Sequence, residues 1–440
     1  MFVLLFCFSF SILAQTGFSI KNKKRKDKIA FKLINNLPVI PVEINGTTLS
    51  FILDTGVKSS ILFSLENADS LQVKNTTPIK LQGLGEGGSV DALKSINNEI
   101  KVGNALDSNH TLYIIFDKAL NFSPRMGVPI HGILGNDFFQ SFIVKINYTS
   151  KYITVYDPEK YSLDKCRNCE DIDLSFFNSK PYISLGVASE NRSEQVTLLI
   201  DSGSSDVLWL FDSDYFIEVS PKNYFEDFLG LGLSGDIYGK RTRLPEVILG
   251  NFTLKNVNAA FPDEEAIDKA RYFKERDGSL GGGFLSRFTV TFDYANKKVR
   301  FKKNNKFNDP FYYNMSGLTL EHEGMELVKA EKRARINSDR INTNQESQSF
   351  SINTISVATE FEFSLVPKYV VVDVRENSPA AIAGIQKGDE IASVNGKPSY
   401  MYELYQLIEM FTNDEGKKIT MEIKRDDFIM KVKFILQSLL

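Results

Sequence analysis

One segment of this chain recurs. Ile52-Leu53-Asp54-Thr55-Gly56 has a counterpart in Leu199-Ile200-Asp201-Ser202-Gly203, at an offset of 147 (201 − 54). Gly83-Leu84-Gly85-Glu86-Gly87-Gly88 and Gly230-Leu231-Gly232-Leu233-Ser234-Gly235 stand at the same offset, as do Glu99–Asn104 and Glu246–Asn251. Gly132–Phe139 matches Gly278–Leu285 at 146 (278 − 132). Matched blocks in one order point to two copies of one unit, at about 30–157 and 180–303. So long a period suggests paired lobes, not a solenoid. Each copy consists of short β-rich runs separated by Gly, Asn and Asp.

Each copy supplies one Asp, between an apolar run and a small hydroxyl residue followed by Gly. A carboxylate at the end of a buried strand is costly unless it is hydrogen-bonded. Gly56 and Gly203 permit a tight turn that brings backbone N–H groups near it. Thr55 and Ser202 can bond across a two-fold axis and join the turns. Packing about that axis would bring Asp54 and Asp201 together. Two such carboxylates share a proton, because both cannot ionise easily. The ionised one can draw a proton from water attacking a peptide carbonyl while the protonated one supports the oxyanion. That chemistry calls for no cofactor and no metal.

A net charge of −3 gives no support for nucleic-acid binding. Residues 2–13 are almost wholly apolar, too short to span a bilayer, and lead to Ala14. They read as a signal peptide over residues 1–15, with a buried strand or short anchor as the alternative. Its basic leading region is missing. No other segment could cross a membrane. The basic run Lys21–Lys28 reads as a solvated linker, with a membrane-surface contact as the other reading. Cys166 and Cys169 suit a small disulfide in a linker, with free thiols next; the three histidines do not complete a zinc site. The glycine runs match a dinucleotide fingerprint only in letters, because no helix follows them. His131 reads as structural.

Asp-Thr-Gly and Asp-Ser-Gly, each followed about 80 residues on by Ile-Leu-Gly or Leu-Gly-Gly, resemble the aspartic peptidases over roughly residues 30–305. The single-chain, two-lobed form is similar to pepsin, and the short lobes to a fused retropepsin dimer. The resemblance implies a mostly β, bilobal double-ψ β-barrel architecture with Asp54 and Asp201 catalytic. Thr55, Gly56, Ser202, Gly203 and Ser204 would support them. The loops with Gly83, Gly85 and Gly88, and with Gly230, Gly232 and Gly235, fall where the family has flaps over substrate. Pepsin-like enzymes usually carry Ser or Thr after the triplet. Ser204 fits; Val57 does not, and losing that hydrogen bond should raise the carboxylate pKa. A mildly acidic to near-neutral optimum follows, unless Lys58 points inward.

Beyond Phe307 the character changes. Val370–Val374 reads as a strand, Asn395-Gly396 as a hairpin turn, and Ser399 as the cap of a helix bearing Met401, Leu404, Tyr405, Ile408 and Phe411. Ser378-Pro379-Ala380-Ala381 through Asn395-Gly396 resembles a PDZ domain of the bacterial protease-linked type, a small α+β unit. In such domains a loop of backbone N–H groups holds a peptide C-terminus; Met315, Ser316, Gly317 and Leu318 are its best match here. The polar stretch 331–352 reads as a disordered insertion.

The expected organisation is therefore a signal peptide (1–15), lobe 1 (30–160), a linker with C-x-x-C (161–179), lobe 2 (180–306) and a PDZ-like domain (310–440). The expected partners are an extended polypeptide substrate and a C-terminal peptide ligand, acting on a monomer. The family resemblance implies export to the periplasm or surface of a Gram-negative bacterium, or secretion. A non-catalytic peptide-binding envelope protein is the competing reading. A lobed structural protein would leave the paired Asp and Gly unexplained.

Overall fold

Short β-branched and aromatic runs make this a chain of strands. The structure, a computed structural model, describes residues 17–66, 70–81, 89–115, 117, 120–162, 165–188, 193–211, 224–232, 235–267, 273–343, 350–426 and 428–440; for 330–360 it gives strand pairing only. The expected signal segment, and Gly83, Gly85 and Gly88, lie outside the described residues. Two units are present. One reaches to Met315 and includes Ile408–Glu415 and Gln437–Leu440; the other is Ser316–Leu407 with Gly416–Leu436.

In the first lobe Leu37–Ile44 pairs with Thr47–Leu53, which runs parallel to Gly132–Leu134. Pairing continues through Ser60–Leu62 and Ala105–Ile115 to Val90–Val102, which returns to Leu37–Ile44 and closes a six-stranded barrel. The second lobe repeats this scheme with Lys180–Ala188, Ser193–Asp201, Gly278–Gly281, Leu208–Leu210, Phe252–Pro262 and Gly235–Leu249, closing in the same order. Thr47–Leu53 and Ser193–Asp201 begin exposed or half exposed and end in buried aliphatics, so each Asp emerges from a core. Burying an aliphatic side chain such as Leu53 or Ile200, both 0 % exposed, is worth about 1.5–3 kcal/mol, which anchors these strand ends.

A further six-stranded sheet joins the lobes. Ile143–Asn147 of lobe 1 pairs antiparallel with Phe288–Asp293 of lobe 2, with Val144 opposite Phe292. Phe139 lies edge-on to Phe292 at 5.3 Å between centroids. Two sequence expectations change here. Lys26–Ala30, which overlaps the end of the supposed basic linker, is an edge strand on Tyr152–Tyr156; Ile29 is buried and Asp27 accepts from the Asn104 backbone N–H. Residues 161–179 are not all linker. Cys169–Asp173 pairs with Lys298–Lys303, where Arg300 grips Asp171 with two bonds, and Ser175–Phe177 pairs with Lys180–Ala188. The structure joins Cys166 to Cys169 in a disulfide.

In the second unit, Glu390–Val394, Lys418–Arg425 and Phe428–Ile435 form a sheet with Phe350–Val374. Asn395 and Gly396 both have positive φ, 53° and 78°, as a type I′ hairpin turn requires. Asp389, 1 % exposed, is held by a bidentate Arg425. The helix starts at Leu404, not after Ser399, which enters a short 3₁₀ turn; Leu404, Leu407 and Phe411 form its buried stripe, and Met401 is exposed. The described part of the stretch expected to be disordered is paired instead: Leu318–Thr343 runs antiparallel to Phe350–Val374, with Ile336 opposite Val357, and residues 344–349 lie outside the described residues. Frequent β-branched residues (Ile336, Ile341, Ile352, Thr354, Ile355, Val357) suit that ribbon despite the polar composition.

Candidate active site

Where the lobes meet, the two triplets clasp each other. The Thr55 N–H donates to Ser202 Oγ at 3.1 Å, and the Ser202 N–H donates to Thr55 Oγ1 at 3.0 Å. The Thr55 hydroxyl donates to the Ile200 carbonyl at 2.6 Å, and the Ser202 hydroxyl to the Leu53 carbonyl at 2.8 Å. Both side chains are 0 % exposed. Each bond of lobe 1 to lobe 2 is thus answered by one from lobe 2 to lobe 1, which fixes the separation of the two turns.

The clasp brings Asp54 and Asp201 side by side: a Cβ built at Gly56 would lie 2.9 Å from Asp201 Oδ1 and 3.1 Å from Asp54 Oδ1. Gly56 donates its N–H to Asp54 Oδ1 at 2.6 Å, and Gly203 donates to Asp201 Oδ1 at 3.1 Å. A Cβ on Gly203 would run into the Asp54 carboxylate, and one on Gly56 would stand 2.9 Å from Asp201 Oδ1. Glycine is required at both turns by this close approach. Burial above all, and then the charge of Asp201, hold the Asp54 carboxyl well above the usual carboxylate range; the Gly56 N–H and the Lys180 charge oppose them.

The other expected residues divide. Ser204 flanks Asp201, but its hydroxyl makes no hydrogen bond to a described residue; only its N–H donates, to the Asp201 carbonyl at 3.3 Å. The support expected from Ser204 is therefore not formed here. Lys58 is exposed and acts on Asp137, not on Asp54. Phe225–Gly232 and Gly235–Leu249 make a hairpin with Gly232 opposite Gly235, the form expected of a flap. Its base is bolted by Arg241, which bonds Asp227 at 2.7 Å and Asp206 at 2.8 Å, while Trp209 donates to Asp206. Its Asp236 reaches Arg125 of lobe 1 at 3.4 Å.

The 315–318 loop is not an open row of donors. The Leu318 N–H is taken by Ser316 Oγ, and the Ser316 and Gly317 carbonyls accept from Ala380 and Arg375. Ser316 and Leu318 are buried. The strand beginning at Leu318 lies at the end of its sheet, so its other side is an edge.

Several residues escaped the sequence reading. Lys180 and Arg276 lie close enough to the carboxylates for their charges to interact. The signal was available: Asn178-Ser179-Lys180-Pro181-Tyr182-Ile183 matches Asn35-Asn36-Leu37-Pro38-Val39-Ile40, a further repeated block with Lys in place of Leu. His131 is structural, as expected. Its Nδ1 accepts from the Ser50 N–H at 2.9 Å, which leaves Nε2–H to donate to the Glu66 carbonyl. In lobe 2 the Asp277 carboxylate takes the same part with the Thr197 N–H. Ser60, His110 and Asp107 form a hydrogen-bonded chain with triad-like spacing, 2.8 Å at each step. All three are buried, so no substrate reaches the hydroxyl and the chain ties strands together. No group of His, Cys, Asp and Glu among the described residues could hold a metal ion.

Residues 40–138 match the family model described as aspartyl protease, and residues 370–425 match that of the PDZ domain. No curated protein matches the chain.

Proposed function

We propose that this chain is an aspartic endopeptidase, in which Asp54 and Asp201 activate a water between them. The observation that carries the reading is the reciprocal Thr55–Ser202 clasp. It is the arrangement that holds two strand-end carboxylates close together, at the cost of burying Asp54 and half burying Asp201. One carboxylate takes a proton from water as the water oxygen bonds to the scissile carbon. The other gives its proton to the carbonyl oxygen. On collapse the C–N bond breaks, the first carboxyl protonates the nitrogen, and the second recovers its proton. One chain supplies both carboxylates, so a monomer suffices.

The raised Asp54 carboxyl supports a mildly acidic to near-neutral optimum. The PDZ-like unit recruits or regulates substrate by adding an extended peptide to the Leu318 edge strand. The apolar segment at 2–13 and the Cys166–Cys169 disulfide support export, to the periplasm or cell surface. The test is incubation of the full chain with an unfolded protein from about pH 3 to 8, spanning carboxylate titration, beside Asp54→Asn. Cleavage lost by about 10²–10⁴-fold or more in the variant is expected. Folded protein that cleaves nothing would favour a peptide-binding role alone.

A further inference from the structure

We propose that Lys180 breaks the symmetry of the carboxylate pair: its ammonium holds the negative charge on Asp201 and leaves the shared proton with Asp54. Asp201 is then the base toward water and Asp54 the acid toward the carbonyl oxygen. These catalytic roles rest on the peptidase reading; the placement of the charge does not.

The argument begins with strand register. In lobe 1 Val39 lies opposite Ile52, so the register continued by two residues sets Leu37 across from Asp54. In lobe 2 Tyr182 lies opposite Leu199, and the same continuation sets Lys180 across from Asp201. Directly opposed residues of an antiparallel pair share a face, with Cβ atoms about 4.5–5.5 Å apart. Each Asp therefore has one neighbour fixed by the fold, and the two differ in kind. Leu37 is 7 % exposed and offers Asp54 no charge. Lys180 offers Asp201 a cation.

That cation is uncommitted. Lys180 is half-buried, and its ammonium makes no hydrogen bond or ion pair with a described residue. A lysine drawn partly out of water without a partner is costly, unless a nearby carboxylate stays ionised to balance it. Burial and Arg276 push the Lys180 ammonium down from its ordinary value, whereas Asp201 and then Asp54 push it up. The remaining charged or titratable groups facing the pair do not reverse the assignment. Arg276, just before the Gly278–Gly281 strand that pairs with the Asp201 strand, adds positive charge on the Asp201 side while its Nε and Nη2 donate to Gly278 O and Ser279 Oγ. Tyr182 and Tyr294 are held neutral by burial.

The experiment uses the full chain with Lys180→Leu, which copies lobe 1, with Lys180→Met as a variant of similar length and Lys180→Arg as the conservative replacement. The acidic limb of the kcat/KM profile should move up by roughly one pH unit in the first two, as expected for loss of an adjacent opposite charge, and return in Lys180→Arg. In parallel, carboxyl-carbon NMR of aspartate-labelled protein is assigned with Asp54→Asn and Asp201→Asn. The Asp201 signal should sit at the carboxylate position and the Asp54 signal at the acid position, and they should converge in Lys180→Leu. A proton found on Asp201, or signals unmoved by Lys180→Leu, would overturn the proposal. Absence of cleavage by folded wild type, with the NMR result as expected, would sink the peptidase reading and leave the charge assignment standing.

Discussion

The two lobes share one pairing scheme and differ in what stands at its ends. Backbone bonds recur at matched positions: Asn136 donates its N–H to the Val57 carbonyl in lobe 1, and Gly282 to the Ser204 carbonyl in lobe 2. The side chains around the carboxylates do not agree. Leu37, Val39 and Ile130 of lobe 1 are replaced by Lys180, Tyr182 and Arg276, and His131 by Asp277. The difference teaches that backbone geometry and charge are separable. Closed barrels demand apolar interiors and fixed register, whereas the mouth of each barrel tolerates any charge that finds a partner. In a carboxylate pair the closeness of two like charges is enough to leave one proton shared, and unlike surroundings bear only on which carboxylate holds it.

The largest way to break the comparison lies at the flap base. Arg241 of lobe 2 matches Lys94 of lobe 1 in register, since Arg241 is opposite Ala260 and Lys94 opposite Tyr113. Arg241→Met leaves Asp206 and Asp227 without their cation, and should cost about 3 kcal/mol in denaturant unfolding. Lys94→Met should cost less than about 0.5 kcal/mol. Equal losses would mean that Arg241 serves no special bolt.

A smaller effect sharpens the symmetric part. Thr55→Val and Ser202→Ala each strip an acceptor from a buried N–H of the other lobe, so each should cost about 1–3 kcal/mol, and by similar amounts. The double variant should lose less than the sum, because the residues serve one network. Strict additivity in thermal unfolding would show that the clasp is not reciprocal.

The smallest concerns pH. The folded Asp54 carboxyl holds its proton more tightly than the unfolded chain does. Stability is therefore full below the ordinary carboxylate range and falls as pH rises toward the raised folded value. Asp54→Asn removes that loss. It should melt above wild type at pH 7, by about 1 kcal/mol or more, and no higher near pH 3. A variant less stable at pH 7 would contradict the sign.

Much of this was legible in the residues. The repeated triplets named both carboxylates, and the glycines beside them announced backbone N–H groups near each carboxylate, which Gly56 and Gly203 supply. The Asn395-Gly396 turn was legible because only certain residues tolerate positive φ at both positions. The pairing of Leu318–Thr343 with Phe350–Val374 was not: the polar composition of 331–352 reads as disorder, and strand pairing between segments leaves only a weak local trace. The loop at 315–318 matched in letters, which do not reveal that the Leu318 N–H donates to Ser316 Oγ.

By itself, then, the sequence determined that Asp-[Thr/Ser]-Gly occurs twice after an apolar run, with further matched blocks beyond each. These are local facts, set by side-chain chemistry and backbone freedom. Only the tertiary structure decided that Thr55 and Ser202 exchange bonds, that Ile143–Asn147 and Phe288–Asp293 weld the lobes, and that Lys180 comes close enough to Asp201 and Asp54 for their charges to interact. Those relations depend on register between segments far apart in the chain. A slip of one residue would turn every side chain to the opposite face.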